Sequence, residues 1–99
     1  MLYAIIGRDA PGALPRRRLA RPAHLARLQA LEVAGRLVLA GPMPAIDAPD
    51  PGPAGFAGSL IVAEFDSLEA ARGWADADPY VTEGVFGSVE VHPYIKVLP

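Results

Sequence analysis

The sequence contains no cysteine and only two histidines among its 99 residues. The absence of cysteine excludes disulfide bridges, thiolate nucleophiles and cysteine-bound metals. Two histidines, His24 and His92, are too few for a purely histidine-built zinc site within one chain. We therefore expect no metal and no cofactor, and any chemistry must come from carboxylate, hydroxyl, guanidinium and imidazole groups.

Long hydrophobic runs and an excess of basic residues are also missing. No apolar run approaches the ~20 residues of a membrane-spanning helix. Nine Lys and Arg against eleven Asp and Glu give a net charge of −2, so a nucleic-acid partner is not expected. The first residues lack the basic stretch of a signal peptide. We expect a cytoplasmic protein that engages neither membranes nor nucleic acids.

Hydrophobic residues make up 52% of the chain and charged residues 20%, a composition typical of one globular domain over residues 1–99. Apolar runs, turn residues and capping signals predict a βαββαβ order. The predicted elements are a strand at 2–7, one helical turn at 14–20, a helix from Pro22 to Gly35, a strand at 37–40, a strand at 59–65, a helix from Asp66 to Asp78, and a strand at 85–97. This order favours a ferredoxin-like antiparallel sheet with both helices on one face.

A proline-rich segment from Gly41 to Gly55 separates the second and third predicted strands. It holds five of the eleven prolines, and the alternating Pro49, Pro51 and Pro53 can join neither a helix nor a central strand. A loop of this length is more often a functional cover than a simple connector. Pro93, in the last strand, indicates a bulge or an edge position.

Both faces of the predicted sheet are apolar. In the third strand Ile61 and Ala63 point one way, while Leu60 and Val62 point the other way. A sheet with one wet face would alternate apolar with polar residues. Two helices cover one face only, so we predict a homodimer packed through the other face. The alternative is that short central strands simply carry small apolar residues on their outer side.

His24 is the first candidate for chemistry. It follows Pro22 closely, and a place near a helix N-terminus disfavours the imidazolium form of the ring. Leu28 and Leu31 follow it at helical spacing, so His24 lies beside the buried stripe. The alternative is a half-buried histidine bonded to a backbone carbonyl.

Asp78 is the second candidate, in the segment Asp78-Pro79-Tyr80 after the second predicted helix. A carboxylate there could orient a histidine and stabilise its protonated form. The alternative is a solvated carboxylate in a turn, because Asp-Pro pairs commonly start turns. Asp76 is the natural control, since only the local context separates the two.

Four further residues are candidates for binding a substrate. Arg17 and Arg21 lie close to His24 in sequence and could hold an anionic group, although a run such as 16–18 is usually a solvated face. Ser59 has no adjacent base, so it is a weak nucleophile candidate and a plausible hydrogen-bonding group of a pocket. Tyr80 is more typical of a core or a pocket wall than of chemistry.

Taken together, several short segments resemble the YciI family of small bacterial proteins along nearly the whole chain. The matching segments are 21–25 (RPAHL), 35–37 (GRL), 40–43 (AGPM), 55–59 (GFAGS) and 74–80 (WADADPY). The resemblance implies a dimeric α+β barrel. It also implies a cleft whose active-site pair is a histidine and an aspartate, which by motif position are His24 and Asp78. Arg17 and Arg21 match positions where the family tends to carry arginines.

These observations favour a small enzyme that performs general acid–base chemistry on a small anionic or aromatic molecule. His24 would move the proton, Asp78 would orient it, and Arg17 or Arg21 would bind the acidic group. Lyase or isomerase chemistry is favoured because it needs no metal and no redox cofactor. The alternatives are a non-catalytic module that binds a ligand or a partner protein, and a structural dimer without a pocket.

Overall fold

The computed structural model describes all 99 residues. In chain order its elements are β1 (Leu2–Asp9), α1 (Leu14–Val33), β2 (Leu37–Pro44), a 3-10 turn (Gly52–Ala54), β3 (Phe56–Glu64), α2 (Leu68–Asp76), α3 (Pro79–Thr82) and β4 (Phe86–Tyr94). The strands pair antiparallel in the order β2-β3-β1-β4. This is the predicted ferredoxin-like α+β fold, which is therefore confirmed, with α3 as a short addition. No helix combines the length and the apolar character needed to cross a bilayer.

Helix α1 differs most from its prediction. It is one continuous helix of 20 residues that begins at Leu14 and contains Pro22 in its interior. Pro15, in the first turn, is the proline that suits a helix start, because its missing N–H has no partner there anyway. Pro22 lies on the exposed side of the helix, where water can satisfy the carbonyl of Arg18 that would otherwise accept an N–H.

The strands around the proline-rich segment are longer than predicted. Strand β2 continues past Ala40 to Pro44, and β3 begins at Phe56 rather than at Ser59. Prolines are tolerated in β2 because it is an edge strand of the sheet. Pro93 likewise lies in the other edge strand, β4, which spans a shorter range than predicted.

Side chains cap the N-termini of α2 and α3. The Ser67 hydroxyl, rather than Asp66, caps α2 by accepting a hydrogen bond from the Ala70 N–H at 3.0 Å. Asp78 caps α3 by accepting from the Tyr80 N–H at 2.9 Å. The carboxylate therefore has a fixed position at the start of α3.

The main core lies between the sheet and the helices. Tyr3 pairs with Ala63 and Ile5 pairs with Ile61 across β1 and β3, and all four side chains are buried on the helix side. Leu28 of α1 packs against this cluster. The opposite face carries apolar residues on β1, β2 and β3 and no helix; its residues include Leu2, Ala4, Ile6, Leu39, Leu60 and Val62. The predicted division of the strands into two apolar faces is thus present.

Candidate functional site

The buried stripe of α1 contains two polar residues. Its buried positions are Arg17, Ala20, His24, Leu28 and Leu31, a spacing that places all five on the face that meets the sheet. Arginine and histidine are rarely buried without a partner. Both Arg17 and His24 have an acidic partner, and the two pairs lie side by side on the core.

His24 meets Asp78 inside the molecule, across 54 residues of sequence. Nδ1 of His24 lies 2.7 Å from Oδ2 of Asp78, and both side chains are almost completely buried. Because the ionised carboxylate can only accept, Nδ1 carries the proton and donates it to Asp78. The other ring nitrogen, Nε2, makes no hydrogen bond within the chain, yet no buried side-chain nitrogen or oxygen lacks a partner. Nε2 is therefore open to the cleft that His24 lines.

Asp78 is held by three donors. Besides His24, the Tyr80 backbone N–H donates to Oδ2 at 2.9 Å, and Nη1 of Arg27 donates to Oδ1 at 2.9 Å. Burial by itself raises the pKa of the Asp78 carboxyl, but the hydrogen bonds from His24, Tyr80 and Arg27 and the charge of His24 outweigh it. The pKa is lowered from its ordinary value of 3.8. The carboxylate thus stays ionised and fixed in orientation.

Tyr80 forms the wall beside the imidazole. Its ring stacks on that of His24, with centroids 3.8 Å apart and planes within 10°. Phe86 holds the far side of Tyr80 in an edge contact at 5.4 Å, and its ring lies over Gly7, where a Cβ would clash with it. Burial raises the pKa of the Tyr80 phenol, against the opposing charges of Arg17 and Arg21. The phenol is therefore protonated at neutral pH and can donate a hydrogen bond.

Arg17 belongs to the second buried pair. Its Nε and Nη2 donate to the two carboxylate oxygens of Asp9 at 2.9 and 3.0 Å, and Nη2 also donates to Ser59 Oγ at 2.9 Å. The guanidinium lies over the rings of Tyr80 and Phe56, at 4.7 and 4.9 Å from their centroids. This bidentate pair places a carboxylate directly against the charge of Arg17.

A cleft of about 170 Å³ opens between α1, the edge of β2 and β3. Five of the six predicted site residues line it, namely Arg17, Arg21, His24, Ser59 and Tyr80. The sixth, Asp78, does not line the cleft and is connected to it through its contact with His24. Arg21 is exposed at the rim and has no acidic partner within the chain. No group of three or more His, Asp or Glu side chains that could hold a metal is present.

The structure corrects one argument about His24. Since α1 begins at Leu14, His24 lies nearly three turns inside the helix. The electrostatic effect of a helix N-terminus fades within the first turn, so it does not act on this ring. The partner of His24 is likewise a carboxylate and not a backbone carbonyl.

Two contacts of the candidate site were missed from the sequence. Arg27 lies three residues after His24 on the same helix, so a helical wheel would have placed both on one face. Asp9, the partner of Arg17, ends a strand at a turn, and nothing in its local sequence indicates a buried ion pair. Asp76, the control for Asp78, is exposed. The second histidine, His92, is also exposed and lies 3.5 Å from Glu90.

Sequence comparison finds close relatives of the same length. A protein named YciI from Escherichia coli is 60% identical over 97 residues, which cover 98% of this chain and 99% of that protein. An uncharacterized protein of Haemophilus influenzae is 48% identical over the same share of both chains. The relatives thus match from end to end.

Among solved structures, one of similar fold comes from Burkholderia phenoliruptrix. It is a 5-chloro-2-hydroxyhydroquinone dehydrochlorinase in complex with 2,5-dihydroxybenzoquinone. Its TM-score to this chain is 0.83 and its sequence identity is 28%, over 96% of this chain and 94% of that chain. The model of the YCII-related domain matches residues 1–95. Together with the end-to-end relatives, this match shows that the chain belongs to the YCII-related domain family, as the sequence motifs predicted.

Proposed function

We propose that this protein is a cofactor-independent enzyme that uses His24 and Asp78 for general acid–base chemistry of the lyase or isomerase type. The observation that carries the proposal is the 2.7 Å contact between Nδ1 of His24 and Asp78 in the wall of a cleft. Asp78 holds the proton on Nδ1, which leaves Nε2 as a base directed at the ligand. The adjacent carboxylate then stabilises the imidazolium that forms.

The cleft suits one hydroxylated six-membered ring. Its volume of about 170 Å³ is close to the ~150 Å³ of a cavity that holds one benzene molecule. Leu25, Leu28 and Ile61 supply apolar walls, while Ser59 and Tyr80 supply hydroxyls. The dehydrochlorinase of similar fold binds a dihydroxyquinone. A substrate of this class is acidic enough for Nε2 to take a proton from a ring hydroxyl.

The proton then takes one of two routes. In an isomerisation, the imidazolium returns it to another atom of the same ring. In an elimination, the imidazolium gives the proton to the ring carbon that bears the leaving group. Nε2 then takes the proton of a second ring hydroxyl, a C=O bond forms as the leaving group departs with its electron pair, and this second proton is released to solvent. Both routes need a group that accepts a proton and gives it back. Among the basic side chains of the site, His24 has a free ring nitrogen for this, whereas arginine has no acceptor atom.

The two histidines of the chain provide a matched test. We expect His24→Gln to lower kcat for chloride release from 5-chloro-2-hydroxyhydroquinone by ~10² to 10⁴. His92→Gln, in the edge strand β4 and outside the cleft lining, should leave kcat unchanged. Full turnover by the His24 variant would contradict the proposal.

The alternative function is a module that binds the same ring without turning it over. Asp78 also caps α3 and pairs with Arg27, so its contacts serve the fold whether or not a proton moves. Under this alternative, 2,5-dihydroxybenzoquinone raises the melting temperature of the wild-type protein, but no chloride is released from the chlorinated compound. The two measurements on the wild type therefore separate the two functions.

We further propose that the protein is a homodimer that buries the outer face of the sheet. That face carries Leu39, which is 48% exposed, and the exposed residues Ile95, Val97 and Leu98 follow β4 at 78–82% exposure. Such a contiguous apolar surface is unusual on a monomer. Leu39→Glu should shift the mass measured by light scattering to that of one chain. Val33→Glu, at an 88% exposed position on α1, should not.

A further inference from the structure

A second chamber adjoins the cleft that holds His24. It has a volume of about 290 Å³ and lies between α1 and the proline-rich loop. The two cavities share Arg17, Arg21 and Pro42 in their walls. The two cavities therefore adjoin at these residues, and a ring substituent that passes Arg21 would enter the outer chamber.

The charges in this outer chamber are not balanced. Arg17 is paired with Asp9, whereas Arg18 and Arg21 have no acidic partner within 4 Å. They lie three residues apart on α1, so both side chains reach the same side of the helix. Asp50 also lines the chamber, but its Oδ1 accepts from the Gly52 N–H at 3.0 Å. Two free cations and one carboxylate leave a net positive charge.

We infer that the outer chamber is a subsite for an oxyanion substituent of the ligand, bound by Arg18 and Arg21. Within the proposed function, on which this inference rests, the substrate is then a hydroxylated ring that carries a carboxylate or phosphonate-like arm. Arg17 does not bind that arm, because Asp9 and Ser59 already occupy its Nε and Nη2. It provides a rigid divider between the ring and the arm instead.

The test compares ligands that differ only in the charge of the arm. The probes are 4-hydroxyphenylacetate, 4-hydroxybenzylphosphonate and the neutral 4-hydroxyphenylacetamide, with Kd measured by calorimetry on the wild-type protein. Two partly exposed ion pairs correspond to about tenfold in Kd. We expect one or both anions to bind about tenfold more tightly than the amide, and which anion binds better identifies the arm.

Variants then test whether Arg18 and Arg21 cause the preference for the anions. In Arg18→Gln/Arg21→Gln the anions and the amide should bind equally. Arg72→Gln, which removes a charge from the exposed face of α2, should keep the preference. Asp50→Asn should increase it, because an opposing carboxylate is removed.

Three results would overturn the inference: none of the probes binds, the amide binds as tightly as both anions, or Arg72→Gln weakens the preference as much as the double variant. These binding results are independent of turnover. Absence of turnover by the wild-type protein, together with an intact charge preference, would refute the proposed function and not the subsite. Turnover without a charge preference would refute the subsite alone.

Discussion

Two buried carboxylates, each paired with a basic side chain of α1, lie side by side in this protein, and the two pairs differ in one chemical property. Asp9 with Arg17 and Asp78 with His24 both join α1 to another element, and all four side chains are less than a tenth exposed. Arg17 remains charged under all ordinary conditions, so its pair is static. The imidazole of His24 has a ring nitrogen, Nε2, that can accept a proton, whereas a guanidinium has no acceptor atom. Two pairs of similar burial therefore differ in role: Asp9 with Arg17 is a structural ion pair, and Asp78 with His24 is a candidate acid–base site.

The largest expected effect comes from breaking the static pair. Arg17→Met leaves the Asp9 carboxylate buried without a cation, which typically costs ~3–5 kcal/mol in the free energy of unfolding. Urea unfolding at neutral pH measures this loss. Arg18→Met, at the adjacent exposed position of the same helix, should cost far less. Equal losses in the two variants would show that the buried pair of Arg17 with Asp9 stabilises the fold no more than the exposed Arg18 does.

A smaller loss is expected for the second pair. Asp78→Asn removes the charge but keeps an oxygen that can still cap α3, so we expect ~1–3 kcal/mol. Asp76→Asn, two residues earlier and exposed, should change the stability very little. If both variants were equally stable, the buried contacts of Asp78 would be without energetic value.

The pH dependence sharpens this second prediction. The pKa of Asp78 is lower in the folded state than its ordinary value of 3.8, so between the two values the unfolded state binds more protons. The stabilisation by Asp78 is therefore complete above about pH 4 and is lost as the pH falls through the folded pKa. The difference in unfolding free energy between wild type and Asp78→Asn should shrink below pH 4. A constant difference down to pH 2 would contradict it.

Arg27 gives the smallest expected effect. Its side chain is 26% exposed, and its guanidinium lies 4.3 Å from the centroid of the Trp74 ring. Arg27→Gln should cost about 0.5–1 kcal/mol. Trp74 is the only tryptophan of the chain, so its fluorescence reports the change directly. Unchanged emission would mean that Arg27 is not held between Trp74 and Asp78 in solution.

Much of the fold could be predicted because its signals are local. Alternation in β1 and β3 separates two apolar faces, and that pattern needs only the period of two of a strand. The buried face of α1 can likewise be recognised in the sequence from the spacing of its apolar residues. The start of α1 was harder to predict, because Pro15 and Pro22 both match the preference for proline in the first turn of a helix. Only packing decides that Pro22 is accommodated inside the helix, on its solvent side.

The site was harder to predict than the fold. Arg17, Arg21 and His24 were identified by their closeness in sequence and Asp78 by its motif, and their catalytic and binding roles remain predictions. Arg27 was within reach of a helical wheel. Asp9 was not, because a buried ion pair between a strand end and a helix depends on where two distant segments meet.

The sequence by itself determined the order of the elements, the two apolar faces of the sheet and the family. Only the tertiary structure decided that the Asp78 carboxylate contacts the His24 imidazole. It also decided that Arg17 has a carboxylate partner while Arg21 has none. Periodicity and capping act between near neighbours in the chain. Pairing between charged side chains is set by distance in space, and folding brings together residues that are 54 positions apart.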